Sequence, residues 1–414
     1  MEKSIKIRLC ILMFLQFFVA GATYPIMSLY LLQYLEFSGS QAGVIMGMSA
    51  FSSIISPLFA ACIADRFLKA ERLLGLCHLV GAVIMFTFSL QTSFFPVLIL
   101  YFAYTLIVMP AAALTNAITF HHSPEDREKF GNIRVWGTIG WIAVAWFSFT
   151  WFRDSSNLRQ IIILSAASSL VLALYSLFLP KSKTQPTEKC AQKLFPVESF
   201  RMMLRPEILS LCILAMFITF VDKFYVVGTS PFLNHIGFSD RQIMPAMSLG
   251  QIPEIFAMGM LGFMIYRLGY KRVMIFGVLL EIFRFSVFAL TEVRWLVYTG
   301  LSVHGLAYTL IFITTFITLD KFCTEKERTG VHQFFSVMTV GLGGFLGGTA
   351  AGRITDLFTS SENVVNFTAF WAVPAIISVF ILIFMILFLK EPEKKKEKLS
   401  DIVSAEEEAL IAAE

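Results

Sequence analysis

LLGLCHLVGAVIMFTFSLQTSFFPVLILYFAYTLIVMPAAALTNAITFHHSP, residues 73–124, runs for 52 residues without one Asp, Glu, Lys or Arg. A helix crosses the ~30 Å of bilayer hydrocarbon with about 20 apolar residues. The run is therefore too long for one span and suits two, with an uncharged turn near Gln91–Phe95. Outward from it, the same spacing repeats. Another 27 uncharged residues lie between Arg8 and Glu36, and 28 from Phe37 to Ala64. Val135–Phe152 and Gln160–Pro180 supply a fifth and a sixth span. After residue 206 the gaps predict helices near 207–234, 242–266, 272–291, 295–319, 329–352 and 363–389. Twelve transmembrane helices are expected.

Composition agrees. Of 414 residues 57% are hydrophobic and 15% charged, and the mean hydropathy is +0.72; soluble domains carry about 25% charged residues. The six cysteines show no paired C-x-x-C spacing, so neither a disulfide scaffold nor structural zinc is expected, nor any other metal or cofactor. The opening Met1-Glu-Lys-Ser-Ile-Lys-Ile-Arg8 resembles the positive region of a signal peptide. Its apolar run continues through Tyr24-Pro25, so it reads as the first helix. With the N-terminus inside, 25 of the 33 Lys and Arg fall on inner segments, which places both termini in the cytoplasm. The expectation is an all-α, multi-pass integral protein of the cell's inner (cytoplasmic) membrane, without a nucleic-acid partner.

Residues 37–72 can be laid on 238–273 without a gap. Phe37-Ser38 falls on Phe238-Ser239, Gln41 on Gln242, Met46 on Met247 and Arg66 on Arg267, a constant offset that also carries Arg127 onto Arg328. Two six-helix bundles repeated in parallel resemble the plan of the major facilitator superfamily. The expected division is residues 1–180, an inner loop 181–206, residues 207–390 and a charged cytoplasmic tail 391–414. That plan puts the substrate site near the bilayer midplane, between the halves and open to each side in turn. The loops following the second and eighth helices then read as gates, with Asp65 and Arg66 in one and Arg267 and Lys271 in the other.

Ionisable groups inside spans are costly and mark function by default. Six stand out: Arg134, Asp222, Lys223, Glu254, Glu281 and Arg284. Glu281 and Arg284, three apart, read as a structural pair. Arg134, Thr138 and Trp141 share one helical face; a planar cation, a hydroxyl and an indole suit a flat polar ligand, the other reading being an interfacial arginine at a helix start. Gln251 and Glu254 share a face of the eighth helix, and Glu254 is a candidate proton carrier. Asp222, Tyr225 and Thr229 form a stripe from which Lys223 points about 100° away. His304 and Tyr308, four apart, line one side of the tenth helix, where His304 reads as a hydrogen-bonded core residue. Gly341, Gly343, Gly344, Gly347 and Gly348 mark close helix packing.

The string Ile133-Arg134-Val-Trp136-Gly137-Thr138-Ile-Gly140 closely resembles the nucleoside:proton symporter family of that superfamily. Leu15-Gln16-Phe17, Cys77-His78, Met109-Pro110 with Asn116, Gln251-x-x-Glu254, Arg284-Phe285 and Arg328 carry the resemblance over most of the chain. It implies uptake of nucleosides driven by the proton gradient, with nucleoside, protons and lipid bilayer as partners and a monomer as the working unit. It also implies that Arg134, Thr138, Trp141, Gln251 and Glu254 line the substrate cavity; Tyr225, Tyr308 and Lys223 are candidates beside them from their own places on helices 7 and 10. The chain departs from the family in two places. Helix 7 reads Val221-Asp222-Lys223-Phe224-Tyr225-Val226 where nucleoside carriers offer amides, and Tyr308 is followed by Thr309, with no acid before Asp320. Asp222 is then expected to share the proton-coupling role with Glu254. A symporter for a sugar or another small polar metabolite is the alternative. Drug efflux fits less well, because Gly137-Thr-Ile-Gly140-Trp lacks the antiporters' proline. His121-His122-Ser-Pro-Glu-Asp126 meets an acyltransferase's H-x4-D spacing, but the six-plus-six repeat has no need of it and no enzyme is expected.

Overall fold

The computed structural model describes residues 3–66, 69–122, 127–151, 158–180, 204–323 and 328–392. Through them run α1 Ser4–Tyr34, α2 Gly39–Arg66, α3 Ala70–Phe88, α4 Phe94–His121, α5 Arg127–Trp151 and α6 Leu158–Phe178. The second series is α7 Pro206–His235, α8 Asp240–Leu268, α9 Tyr270–Leu290, α10 Arg294–Phe322, α11 Gly330–Leu357 and α12 Phe367–Phe388. Ten of the twelve are long and apolar enough to cross a membrane by length and composition, and α2 and α5 complete the set. Their outer faces carry large apolar side chains, such as Phe380 at 66% and Leu387 at 68% exposure. Such faces are tolerated where lipid replaces water.

Helix ends differ from the charge gaps for a simple reason: a gap measures the apolar stretch, whereas a helix continues into polar residues beyond it. Thus α5 begins at Arg127 rather than Val135, and α11 runs past Arg353 to Leu357. At α12 the helix starts four residues later than its gap. Thr359 and Val365 pair across a tight turn, Asn363 takes φ 58°, and the Asn366 side chain caps α12 by accepting from the Ala369 amide at 3.0 Å.

The repeat is visible in how two helices begin. The Ser38 amide donates to Gln41 Oε1 at 3.0 Å and the Gln41 amide to Ser38 Oγ at 3.2 Å. At the start of α8 the Ser239 amide donates to Gln242 Oε1, also at 3.0 Å. The first is a capping box of the Ser-x-x-Gln kind; the second keeps its glutamine half, while the Gln242 amide donates to the Ser239 carbonyl at 2.7 Å, so the identities at Ser38/Ser239 and Gln41/Gln242 have a shared local job.

Several helices are interrupted. The first bends at Tyr24-Pro25-Ile26 and ends in a π-helical turn, Tyr30–Tyr34. Further breaks fall at Met109–Pro110 in α4 and Leu249–Gly250 in α8, where Pro253 has no N–H for the Leu249 carbonyl. Wide π turns occupy Thr309–Ile313 in α10 and Val337–Gly343 in α11; such turns occur often at functional sites.

Two compact units result. One comprises Met1–Gln192 with Leu233–Ser248, the other Lys193–Phe232 with Leu249–Glu414. In the first, α1 lies directly on α5 because Gly140 has no side chain: a Cβ there would sit 2.2 Å from the Phe14 carbonyl oxygen. The segment Asp240–Ser248 belongs to this unit, with Arg241 5.5 Å from the Phe149 ring. In the second, α11 meets α7 at Gly343 and Gly347, whose absent Cβ atoms would lie 2.5 Å from the carbonyls of Met216 and Phe220. Its core is aromatic, with Trp371 fully buried among Phe232, Phe285, Phe288 and Phe370.

Candidate functional site

In the first unit the stripe on α5 is intact. Because α5 starts at Arg127, Arg134 lies two turns inside the helix, not at its mouth. Its guanidinium lies 4.1 Å from the centroid of Phe17 on α1, an attractive placement of a cation on an aromatic face. Gly137 makes that approach feasible, since a Cβ there would be 2.6 Å from the Phe17 ring. Arg134, Thr138 and Trp141 are each partly exposed, and the Trp141 ring is 6.3 Å from Tyr24. The glycines at 137 and 140 thus seat α1, while the adjacent stripe presents a cation, a hydroxyl and an indole together.

Behind Phe17, Gln16 belongs to a buried polar network not evident from spacing. Gln16 Oε1 accepts from His78 Nε2 at 3.0 Å, and His78 Nδ1 meets Ser169 Oγ at 2.9 Å. Thr115 donates to the same glutamine oxygen at 3.4 Å. Both histidine nitrogens have partners, which fixes the ring and holds α1, α3, α4 and α6 in register. The available signal was Gln16 and His78 standing alone in apolar spans.

In the second unit Gln251 and Glu254 open the helical segment that follows the break at Gly250. Here α8 and α10 touch: a Cβ on Gly305 would lie 2.1 Å from the Gly250 carbonyl oxygen and 2.6 Å from Glu254 Cβ. Glu254 is therefore held against α10 one residue from His304. The expected Glu281–Arg284 pair is present, and it is larger than a pair. Arg284 is fully buried, and its Nη1 also donates to His304 Nδ1. An arginine can only donate, so that imidazole is neutral with its proton on Nε2. Tyr225 completes the group, stacked on His304 with centroids 4.1 Å apart and lying 4.4 Å from the Arg284 guanidinium. Tyr225 is thus buried with its ring packed, and Thr229 donates to its carbonyl at 2.6 Å. The Lys223 Cβ lies beside α11, 3.0 Å from where a Cβ on Gly347 would sit. Tyr308 is partly exposed beside Phe312, at 5.0 Å between centroids, just ahead of the π turn.

The gate candidates are uneven. Asp65 and Arg66 close α2, and their side chains lie outside the described residues. Arg267 lies 5.4 Å from the Phe263 ring of its own helix. Lys271 Nζ donates to the Ile386 carbonyl at 2.9 Å, tying the start of α9 to the end of α12. The turn between α8 and α9 needs Gly269, at φ 87°. Of the H-x4-D motif, His122 Nε2 lies 3.2 Å from the Pro180 carbonyl oxygen, and Asp126 lies outside the described residues.

Helices of this length and lipid-facing chemistry, with charged side chains along α5, α7, α8 and α9, define a multi-pass membrane transporter of the major facilitator fold. A profile of the nucleoside H+ symporters matches residues 3–394. The chain belongs to that family, and is a transporter rather than an enzyme. It is 28% identical over 407 residues to the putative nucleoside transporter YegT of Escherichia coli, covering 94% of each chain. To the xanthosine permease of the same organism it is 26% identical over 417 residues, covering 95% of this chain and 99% of the relative. A crystal structure of the nucleoside transporter NupG superposes with a TM-score of 0.84 at 24% identity, over 94% of this chain and 100% of the other.

Proposed function

We propose that this chain imports nucleosides with protons by alternating access, as a monomer in the inner membrane with both termini cytoplasmic. The observation that carries the substrate assignment is the α5 clamp, in which the Arg134 guanidinium lies over Phe17 beside Thr138 and Trp141. A planar cation offers paired donors to a base edge, a hydroxyl serves the sugar, and an indole stacks on the ring. Gln251, Tyr308, Lys223 and the hydroxyl end of Tyr225 are the further substrate-binding residues. Glu254 and Asp222 couple the proton. The loop of Asp65 and Arg66 and the loop of Arg267 and Lys271 serve as gating loops.

The test is uptake of labelled uridine and adenosine into proteoliposomes, with and without an inward proton gradient, against unlabelled nucleosides and sugars. Accumulation should require the gradient and be lost in Glu254→Gln. If a sugar accumulates and no nucleoside does, the clamp serves another ring-shaped cargo and the substrate assignment fails.

A further inference from the structure

The α5 stripe has a counterpart on α1. Phe17, Gly21 and Tyr24 are spaced by four and three, as Arg134, Thr138 and Trp141 are, so each set lies along one face of its helix. The two faces meet in order. The Arg134 guanidinium lies on Phe17. One turn further on, a Cβ on Gly21 would be 3.2 Å from Trp141 Cδ2 and 3.3 Å from Trp141 Cα. Tyr24 follows, its ring centroid 6.3 Å from that of Trp141 and its plane at 59° to the indole. Gly21 thus lets the indole lie close on α1, and Tyr24 is the next side chain beyond it.

The backbone holds Tyr24 in that place. Pro25 has no N–H for the Gly21 carbonyl, and α1 bends over residues 24–26. Just before the bend, Thr23 donates to Ser165 Oγ of α6 at 2.5 Å in a buried bond, and the Tyr24 amide still donates to the Ala20 carbonyl at 3.0 Å. From Gly21 to Leu31 every residue except Tyr24 is buried, whereas Tyr24 is 39% exposed. A lipid-facing stretch exposes a side chain at every turn, as α12 does with Phe380, Ile383 and Leu387. A tyrosine anchored among headgroups stands at the end of its span, but α1 continues to Tyr34. The exposed phenol is therefore neither a lipid-facing nor a headgroup residue, and it shares the side of α1 on which the α5 stripe lies.

We propose that Tyr24 is a substrate-binding residue, which forms with Trp141 an aromatic corner that holds the flat ring of the cargo. The inference rests on reading the α5 stripe as the nucleoside clamp, and it adds a residue that neither the charges nor the motifs of the sequence marked. A single indole lets a stacked base slide across its face. A second ring set at an angle to the first meets the edge of that base and fixes its position.

The experiment measures equilibrium binding of labelled uridine to the purified full-length protein in detergent at one pH, so no proton gradient enters. Tyr24→Leu, which fills similar space without an aromatic face, should raise the Kd about three- to tenfold. Tyr24→Phe keeps the ring and should retain most of the affinity. In a third variant, Tyr24→Cys, a small polar thiol reagent should label position 24 above the background of the native cysteines in the parent protein, and saturating uridine should slow that labelling severalfold. An unchanged Kd in Tyr24→Leu, an equal loss in Tyr24→Phe, or labelling that uridine does not slow overturns the proposal. If Tyr24→Leu does not fold, protection of Tyr24→Cys decides. If the parent binds neither uridine nor adenosine, or Trp141→Ala binds uridine as the parent does, the α5 clamp itself fails and the corner falls with it. Weakened binding in Trp141→Ala beside unaltered binding in Tyr24→Leu overturns the corner alone.

Discussion

At the scale of single residues, the second unit shows how far side-chain spacing reaches. Glu281 and Arg284 were legible as a pair because three residues bring two side chains to one helical face. That His304 and Tyr225 close around the same guanidinium was not, since α7, α9 and α10 meet only through tertiary packing. The α5 stripe was legible in full, but its aromatic floor, Phe17, comes from another helix. The floor sets a test. Arg134→Lys keeps the charge and loses the plane that lies on the ring, a difference worth about 1–2 kcal/mol at a desolvated site. The KM for uridine should rise about tenfold in exchange assays; an unchanged KM removes Arg134 from the binding site. The neutral His304 gives a second expectation. Its Nδ1 accepts a hydrogen bond from Arg284, so His304→Gln, whose amide oxygen accepts equally well, should retain most gradient-driven uptake. By contrast, His304→Leu leaves a guanidinium N–H unpaired and should lower the melting temperature. Equal behaviour of the two variants would count against this tautomer.

At the scale of elements, the number of spans was written in the gaps between charges, while their ends and interruptions were not. Charge spacing reports where hydrocarbon begins, and α5 and α11 simply run on past it. The breaks at Pro25, Pro110 and Gly250 follow from local backbone chemistry that hydropathy ignores. Glycines tell two kinds of story here. Gly140 lies against the Phe14 carbonyl, so Gly140→Ala must push α1 off α5, at a cost of about 1–3 kcal/mol. Gly259 has nothing within 4 Å of where its Cβ would be. There the same change removes only backbone freedom and should stabilise by roughly 0.5–1 kcal/mol. Thermal unfolding of the purified protein should move in opposite directions for the two variants. Movement together would show that the α1–α5 contact is looser than the backbone distances imply.

For the whole molecule, the placement of Lys and Arg makes a claim that helix geometry alone does not. Both termini should face the cytoplasm, so tags at either end should resist protease in right-side-out vesicles and be cut in inverted ones. If one tag were cut only in right-side-out vesicles and the other only in inverted ones, the number of crossings would be odd and the six-plus-six repeat would be broken. The matching starts of α2 and α8 say something about where that repeat came from. A gene copied and fused end to end starts with two identical halves, and each is then free to drift. At the clamp the two halves have drifted apart, for the offset that aligns them sets Arg134 and Trp141 against Phe335 and Leu342. Yet Ser38 with Gln41, and Ser239 with Gln242, still open their helices with the same side-chain bond to the serine amide. What is inherited in common is punctuation, because a helix must start in the same place whatever it has come to carry.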